Sequence, residues 1–169
     1  MTDAVIVSTA RSPIGRAFRG ALNNIKSPTL AAHAIRHAVA RAGLEGADID
    51  DVVLGTALPA GTAGMNLGRL AALTAGLGES VAGQTIDRQC ASGLMAISIA
   101  AKQVIVDGMQ AVVAGGQENI SALNAPFIEW VVREQDPQLD RLCRDVGRHV
   151  TPSAPPDFQS RRPTALSAS

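Results

Sequence analysis

Short apolar runs alternate along the chain with longer stretches in which apolar residues recur every three or four positions. The apolar runs lie at residues 4–9, 52–54 and 111–114, and a short segment at 83–87 leads into Cys90. Runs that are apolar throughout predict strands buried on both faces, whereas the three- and four-residue spacing predicts helices. The alternation therefore predicts an α/β fold with a mainly parallel, mixed sheet covered by helices.

The first predicted helix has a clear start signal. We expect Ser27 as its N-cap and Pro28 in its first helical position, since neither residue needs an intrahelical N–H partner there. Its predicted apolar positions are Leu30, Ala34, Ala38 and Leu44. His33 and His37 share one face, and such a pair can ligate a metal, but no third ligand lies nearby. We therefore expect a solvated helix face at these histidines.

Two further helices follow the same spacing. One is predicted from about residue 66 to residue 77, with a buried stripe at Leu70, Leu73 and Leu77. The other follows Cys90 and ends at Asp107 and Gly108, where the glycine supplies a terminator. Its apolar positions are Leu94, Ile97, Ala101, Val104 and Ile105.

Cys90 carries the strongest chemical signal, because it lies at or near the first turn of the last predicted helix. The unpaired N–H groups and positive dipole end at a helix start favour the thiolate form of cysteine. A structural interpretation stays open, since free cysteine is often a small buried hydrophobe.

Composition excludes several classes. The formal net charge is zero and aromatic residues make up 2% of the chain, which argues against nucleic-acid binding. No apolar run approaches the ~20 residues of a membrane span, and the chain does not start with the pattern of a signal peptide. We expect a cytoplasmic protein in which Cys90 and Cys143 are free thiols.

Glycines mark the end of the last predicted strand. Gly115 and Gly116 stand at its carboxyl end, where open α/β folds place their ligands. No Gly-x-Gly-x-x-Gly sequence joins a strand to a helix, so a dinucleotide is not indicated.

Four motifs together resemble the thiolase family of acyl-CoA C-acyltransferases. They are VIVSTARSPIG at 5–15, GMNLGR at 64–69, CASGL at 90–94 and AGGQENIS at 114–121. The resemblance covers residues 1–136 and implies the N-terminal half of a thiolase-like fold. Asp87 stands where the family usually has asparagine.

The resemblance implies that Cys90 takes an acyl group from an acyl-CoA as a thioester, then passes it to CoA or to the enolate of a second acyl-CoA. A soft nucleophile at a helix start suits this exchange, and its backbone N–H can help hold the oxyanion. The substrates would be acyl-CoA and CoA, with no metal or tightly bound cofactor, and full-length relatives are homo-oligomers.

The remaining motif residues are expected to support the nucleophile. The expected structural supports are Gly93, Gly115, Gly116, Glu118 and Ser121, together with Asn119. For the glycine pair, close backbone approach beneath Cys90 and direct substrate contact both stay open. Arg11 and Arg69 could contact CoA phosphates or act as surface and capping groups.

The family's activating histidine, second cysteine and oxyanion-site asparagine belong to its later half. Cys143 and His149 lack the glycine-rich settings that the family uses, so neither matches. Residues 137–169 are rich in proline and arginine and contain no lysine, which predicts a disordered tail or sequence read after a frame loss.

Three functions stay open. The first is a thiolase of lipid or ketone metabolism, completed by a separately supplied second half. The second is a non-catalytic remnant or interaction subunit, for which exposed apolar surface predicts self-association. A cysteine hydrolase is disfavoured, because no suitable histidine accompanies Cys90.

Overall fold

The structure is a computed structural model that describes residues 3–122, 136–138 and 141. The chain divides into two units, Met1–Ala122 and Leu123–Ser169. Cys143, His149 and nearly all of the predicted tail at 137–169 lie outside the described residues. The elements below all belong to the first unit.

Three helices and three strands alternate along this unit. The helices are α1 at Ser27–Ala42, α2 at Leu67–Ala75 and α3 at Ser92–Lys102. The strands are β1 at Asp51–Gly55, β2 at Ala82–Ile86 and β3 at Val112–Gly116. Short 3₁₀ turns lie at Gly46–Asp48, Gly61–Ala63 and Ile120–Ala122. A π-helical turn, Gln103–Asp107, extends α3 until Gly108 ends it in the left-handed conformation.

The described strands form one parallel sheet in the order β2-β1-β3. Asp51 pairs with Ala82 and Val112, and Gly55 pairs with Gly116 at the other end. The predicted parallel α/β arrangement is confirmed. The central strand β1 is buried throughout, whereas β2 and β3 lie at the edges of this sheet and are only partly buried.

Helices cover both faces of the sheet. Val52 and Leu54 pack into a core with α1 and α2, while Val53 points to the opposite face and packs with Ala96 and Ala100 of α3. Neighbouring strand residues point to opposite faces, so an uninterrupted apolar run on β1 supplies both cores.

The strand predicted at 4–9 is absent. These residues have no regular secondary structure, and Val5, Ile6 and Val7 are 71–76% exposed. A strand requires hydrogen bonds to a neighbouring strand, and the described residues place none beside this segment. One contact ties its end down, since Arg41 Nη1 donates to the Thr9 carbonyl at 2.7 Å.

The first helix begins one residue earlier than predicted. Lys26 is the N-cap, and Ser27 is the first helical residue. Ser27 is buried, and its hydroxyl lies 3.1 Å from the Thr62 hydroxyl, so the serine joins α1 to the 3₁₀ turn between β1 and α2. The buried face of α1 consists of Ser27, Ala31, Ala32, Ile35 and Val39, rather than the predicted stripe.

The predicted stripe on α2 is also largely wrong. Leu70 and Leu73 are exposed, and only Leu77, beyond the helix end, is buried. The buried face consists of Leu67, Gly68, Ala71, Ala72 and Ala75. Small residues let this helix lie close to the sheet, as Gly68 shows: a Cβ there would lie 2.2 Å from the Gln84 carbonyl oxygen.

The last helix shows the same inversion. Ser92, Ala96 and Ala100 face inward. Leu94 is 74% exposed, and Ile97 and Ile105 are exposed too. We call Leu94 and Ile97, together with Ile105 of the π-helical turn that extends the helix, the α3 apolar face.

Among the described residues, one stretch qualifies as a membrane span by length and composition, which the apolar runs did not predict. Gln89–Asp107 contains 19 residues, has a mean hydropathy of 1.4 and is 22% buried. A single such helix is weak support for a span, since core helices share its composition. Here Ala96 and Ala100 pack on the sheet.

Candidate active site

The segment between β2 and α3 presents Cys90. Strand β2 ends at Ile86, Ala91 is the N-cap of α3, and Cys90 is an exposed free thiol immediately before that cap. The cysteine is therefore neither in the first helical turn nor buried. It lies just outside the helix start, on the side where unpaired N–H groups face.

The backbone bends sharply at the residue before the thiol. Gln89 has a φ of 50°, in the left-handed region that non-glycine residues seldom occupy. Its N–H donates to Asp87 Oδ1 at 2.9 Å, and its carbonyl accepts from Ser92 Oγ at 2.5 Å. Ser92 Oγ also accepts from the Arg88 N–H at 2.8 Å. The main-chain N–H and the main-chain carbonyl of Gln89 are thus both hydrogen-bonded to neighbouring side chains.

Main-chain contacts between glycines bring α3 against the sheet. A Cβ at Gly55 would lie 2.3 Å from the Ser92 carbonyl carbon, and one at Gly116 would lie 3.2 Å from Gly93 Cα. At Gly115 the nearest atom would be Leu54 Cδ2, at 4.0 Å. The start of α3 therefore rests directly on the carboxyl ends of β1 and β3, which positions Cys90 above that edge.

The segment after β3 ties neighbouring loops together. Glu118 accepts from the Ala57 N–H at 2.7 Å and from the buried Thr56 hydroxyl at 3.1 Å. Asn119 Nδ2 donates to the Ile25 carbonyl at 2.9 Å. These bonds hold the loop after β1 and the loop before α1 at the edge where α3 begins.

Ser121 makes the longest-range contacts of this segment. Its hydroxyl accepts from the Phe18 N–H at 2.9 Å and lies 2.9 Å from Asn23 Oδ1. The loop at 10–23 is thereby fastened to the segment after β3.

The two arginines of the shared motifs have different surroundings. The Arg69 guanidinium donates to the carbonyls of Val81 and Glu79, so it ties α2 to the loop before β2. Arg11 is exposed and lines a cavity of about 470 Å³ between its own loop, α1 and the segment after β3. Cys90 is not among the residues that line this cavity.

No group of three or more histidine, cysteine, aspartate or glutamate side chains could hold a metal within the part of the chain that the structure describes. His33 and His37 lie on an exposed face of α1 with ring centroids 4.6 Å apart. That exposure agrees with the predicted solvated face.

Three residues of this site were not singled out in the sequence. Gly55 lies beneath α3, and Gln89 and Ser92 shape the turn before it. A serine just after a candidate nucleophile, at a helix start, is a local signal that could have identified Ser92. No comparable signal marks Gly55, because its role depends on a helix that lies far along the chain.

Comparisons with known proteins point to one family. The family model "Thiolase, N-terminal domain" matches residues 4–135. The chain is 45% identical to an acetyl-CoA acetyltransferase of Cupriavidus necator over 128 residues, which are 76% of this chain and 32% of that protein. It is 37% identical to a 3-ketoacyl-CoA thiolase of Bacillus subtilis over 133 residues, 79% of this chain and 34% of the relative.

A solved structure gives the same result. The crystal structure of the Bacillus anthracis acetyl-CoA acetyltransferase superposes with a TM-score of 0.64 at 44% identity, covering 69% of this chain and 29% of that one. The chain thus spans about a third of the length of the relatives it matches. Through the match at 4–135, this chain belongs to the thiolase family.

Proposed function

We propose that Cys90 is an acyl-accepting nucleophile and that the chain contributes it to a thiolase-type acyltransferase. The observation that carries this proposal is the exposed thiol immediately before α3, within the matched N-terminal domain. The relatives named above are acetyl-CoA acetyltransferases and a 3-ketoacyl-CoA thiolase, which makes acyl-CoA thioesters the substrates to test.

The proposed first step is a thioester exchange. The Cys90 thiolate attacks the acyl carbonyl carbon, a new carbon–sulfur bond forms, and the bond to the CoA sulfur breaks. CoA leaves as a thiolate and takes up the proton that Cys90 lost. In the second step the acyl group passes to CoA or to the enolate of a second acyl-CoA, and Cys90 is regenerated.

The helix start supports that exchange. Ser92 N–H donates to the Gln89 carbonyl at 3.0 Å, and the Met95 N–H donates to the Ala91 carbonyl at 2.9 Å. Positive dipole density at this end of α3 favours the oxyanion that forms during attack. No metal or bound cofactor enters the proposed steps, because the CoA thioester already carries the activated acyl group.

The proposed compartment is the cytoplasm. A nucleophilic thiol must stay reduced, and reducing compartments keep exposed cysteines such as Cys90 in that state. We also propose that the chain self-associates or pairs with a second thiolase half.

The decisive experiment is intact-mass analysis of the full chain after incubation with acetyl-CoA and with acetoacetyl-CoA. We expect one acetyl increment with either substrate. With acetoacetyl-CoA the thiolate attacks the C3 carbonyl carbon, the C2–C3 bond breaks, and the enolate that leaves takes up the proton from Cys90 to become acetyl-CoA. The increment should be lost in Cys90→Ser and kept in Cys143→Ser. A folded wild-type chain without any increment would rule out acylation by this chain alone.

An interaction subunit is the second candidate, and the α3 apolar face favours it. Three large apolar side chains are exposed on one helix that starts beside the thiol. Exposed apolar patches commonly mark protein interfaces. In this case Leu94→Asp reduces self-association in sedimentation velocity, and the chain fails to turn over acetoacetyl-CoA even though Cys90 can be acylated. Steady turnover by the chain alone would contradict it.

A further inference from the structure

We propose that Ser92 and Asp87 are positioning residues that together hold Gln89 in its left-handed conformation and so set the direction of the Cys90 thiol. The importance of this positioning for acyl transfer rests on the proposed function of Cys90. Their effect on the thiol can be measured separately from acyl transfer.

Gln89 needs outside help to keep its conformation. Its φ of 50° costs free energy in a residue with a Cβ, and a glutamine side chain offers little local compensation. Gln89 Nε2 lies 3.5 Å from Asp87 Oδ1, at the limit of a hydrogen bond. The conformation must therefore be held through the backbone.

Two side chains supply that hold from opposite sides, in addition to the Ser92 N–H, which donates to the Gln89 carbonyl at 3.0 Å. Asp87 Oδ1 accepts from the Gln89 N–H at 2.9 Å, and Ser92 Oγ donates to the Gln89 carbonyl at 2.5 Å. The same Ser92 oxygen accepts from the Arg88 N–H at 2.8 Å, so it uses both its donor and an acceptor lone pair on this turn.

Ser92 is itself fixed. It is 3% exposed, and its main chain lies so close to Gly55 that residue 55 has no room for a Cβ. Its hydroxyl is thus anchored to the sheet. Cys90, which directly follows the held residue, takes its direction from a turn that is tied to the sheet as well as to α3.

The chemistry of the acceptor explains why Asp87 suits this position, where the family usually has asparagine. Asparagine and aspartate both present an oxygen at the same place, and either can accept from the Gln89 N–H. Alanine presents none. The turn bond therefore survives Asp87→Asn and is lost in Asp87→Ala.

The test is the rate at which iodoacetamide alkylates Cys90 in the folded full chain. Trypsin releases Cys90 in the peptide from Gln89 to Lys102 and Cys143 in a separate peptide, so mass spectrometry follows the two thiols independently. Ser92→Ala is the principal variant. Ser98→Ala is its matched control, because it also replaces a serine of α3 by alanine, but at an exposed position.

We expect Ser92→Ala to slow alkylation of Cys90 about tenfold, because two hydrogen bonds that direct the thiol to the helix start are lost. Ser98→Ala leaves the rate unchanged. Asp87→Ala slows it about threefold, and Asp87→Asn recovers most of that loss. A wild-type rate in both Ser92→Ala and Asp87→Ala, with circular dichroism showing folded chains, would overturn the proposal.

Asp87→Ala covers loss of folding in Ser92→Ala, because it removes the other side-chain bond to Gln89, and a glycine at residue 89 tests the strain itself. Glycine adopts positive φ without cost, so Gln89→Gly in the Ser92→Ala background should recover part of the lost rate. No recovery in a folded double variant would overturn the proposal. If wild-type chain alkylates with these dependences but takes no acetyl group, the proposed function fails and the positioning role stands.

Discussion

Replacing Gly55 by alanine tests whether backbone contact sets the height of α3 above the sheet. The new Cβ would lie 2.3 Å from the Ser92 carbonyl carbon, 2.4 Å from its oxygen and 2.5 Å from the Gly93 nitrogen. Carbon atoms pack best at about 3.5–4.0 Å, so the start of α3 must move by about 1 Å or more. All three atoms belong to the backbone, and no side chain can rotate out of the way.

Overpacking of this kind costs about 1–3 kcal/mol and occasionally more, and we expect about 3 kcal/mol for Gly55→Ala. Gly115→Ala is the matched control on the neighbouring strand. Its Cβ would meet nothing closer than Leu54 Cδ2 at 4.0 Å. We expect it to be neutral, or to gain about 0.4–1 kcal/mol from the reduced entropy of the unfolded chain.

Urea unfolding followed by circular dichroism measures both effects. With an m-value of about 2 kcal/mol/M, the midpoint for Gly55→Ala should fall by about 1.5 M, while that for Gly115→Ala stays within about 0.5 M of wild type. Alkylation of Cys90 should slow only in Gly55→Ala, as the helix start lifts. Equal midpoints for the two variants would refute the contact between α3 and β1.

Three further substitutions test the bonds around the sheet, each by urea unfolding. Glu118→Ala should cost about 1–2 kcal/mol of unfolding free energy, because the buried Thr56 hydroxyl loses its hydrogen-bond acceptor. The cost should be smaller in a Thr56→Val background, and additive losses would contradict this hydrogen bond. Asp51→Asn should cost about 2 kcal/mol of unfolding free energy, since Asp51 Oδ2 accepts from Gln84 Nε2 at 3.0 Å and from Gln103 Nε2 at 2.6 Å. An unchanged urea midpoint would contradict these two hydrogen bonds. Arg69→Leu should cost about 1–2 kcal/mol with CoA affinity unchanged, and the reverse result would assign this arginine to substrate.

Local pattern was enough to predict most of the described sheet. The apolar run at 52–54 requires burial on both faces, and a parallel sheet between helices provides it. The run at 4–9 carries the same signal, yet it lies exposed. A strand forms only where a neighbour offers its hydrogen-bonding edge, and no local pattern reports that neighbour.

The helix faces show a second limit of periodicity. On α3 the largest apolar residues, such as Leu94 and Ile97, point outward, while Ala96 and Ala100 face the sheet. Hydrophobicity ranks leucine above alanine, but the close approach of α3 leaves room only for small side chains. Packing distance therefore decided which of two apolar stripes is buried.

Cys90 could be singled out from the sequence, because a cysteine before a helix and within a family motif is a local signal. The positions of Glu118 and Ser121 in the segment after β3 followed from the same motifs. The roles of Gly55 and Ser92 could not be predicted, since they arise where two backbones distant in sequence meet.

The level ends of the strands have a consequence for how such a protein can diversify. Gly55, Ile86 and Gly116 stand opposite one another, so three loops leave the sheet from one shared rim. The loop from Ile86 carries the thiol and is locked in place, while the loop after Gly55 spans residues 56–66. Substitutions that keep the buried anchors Thr56 and Ala63 can alter the exposed positions of that second loop without disturbing the core. Such a protein can thus change the surface that lies over the rim while the turn before the thiol stays the same.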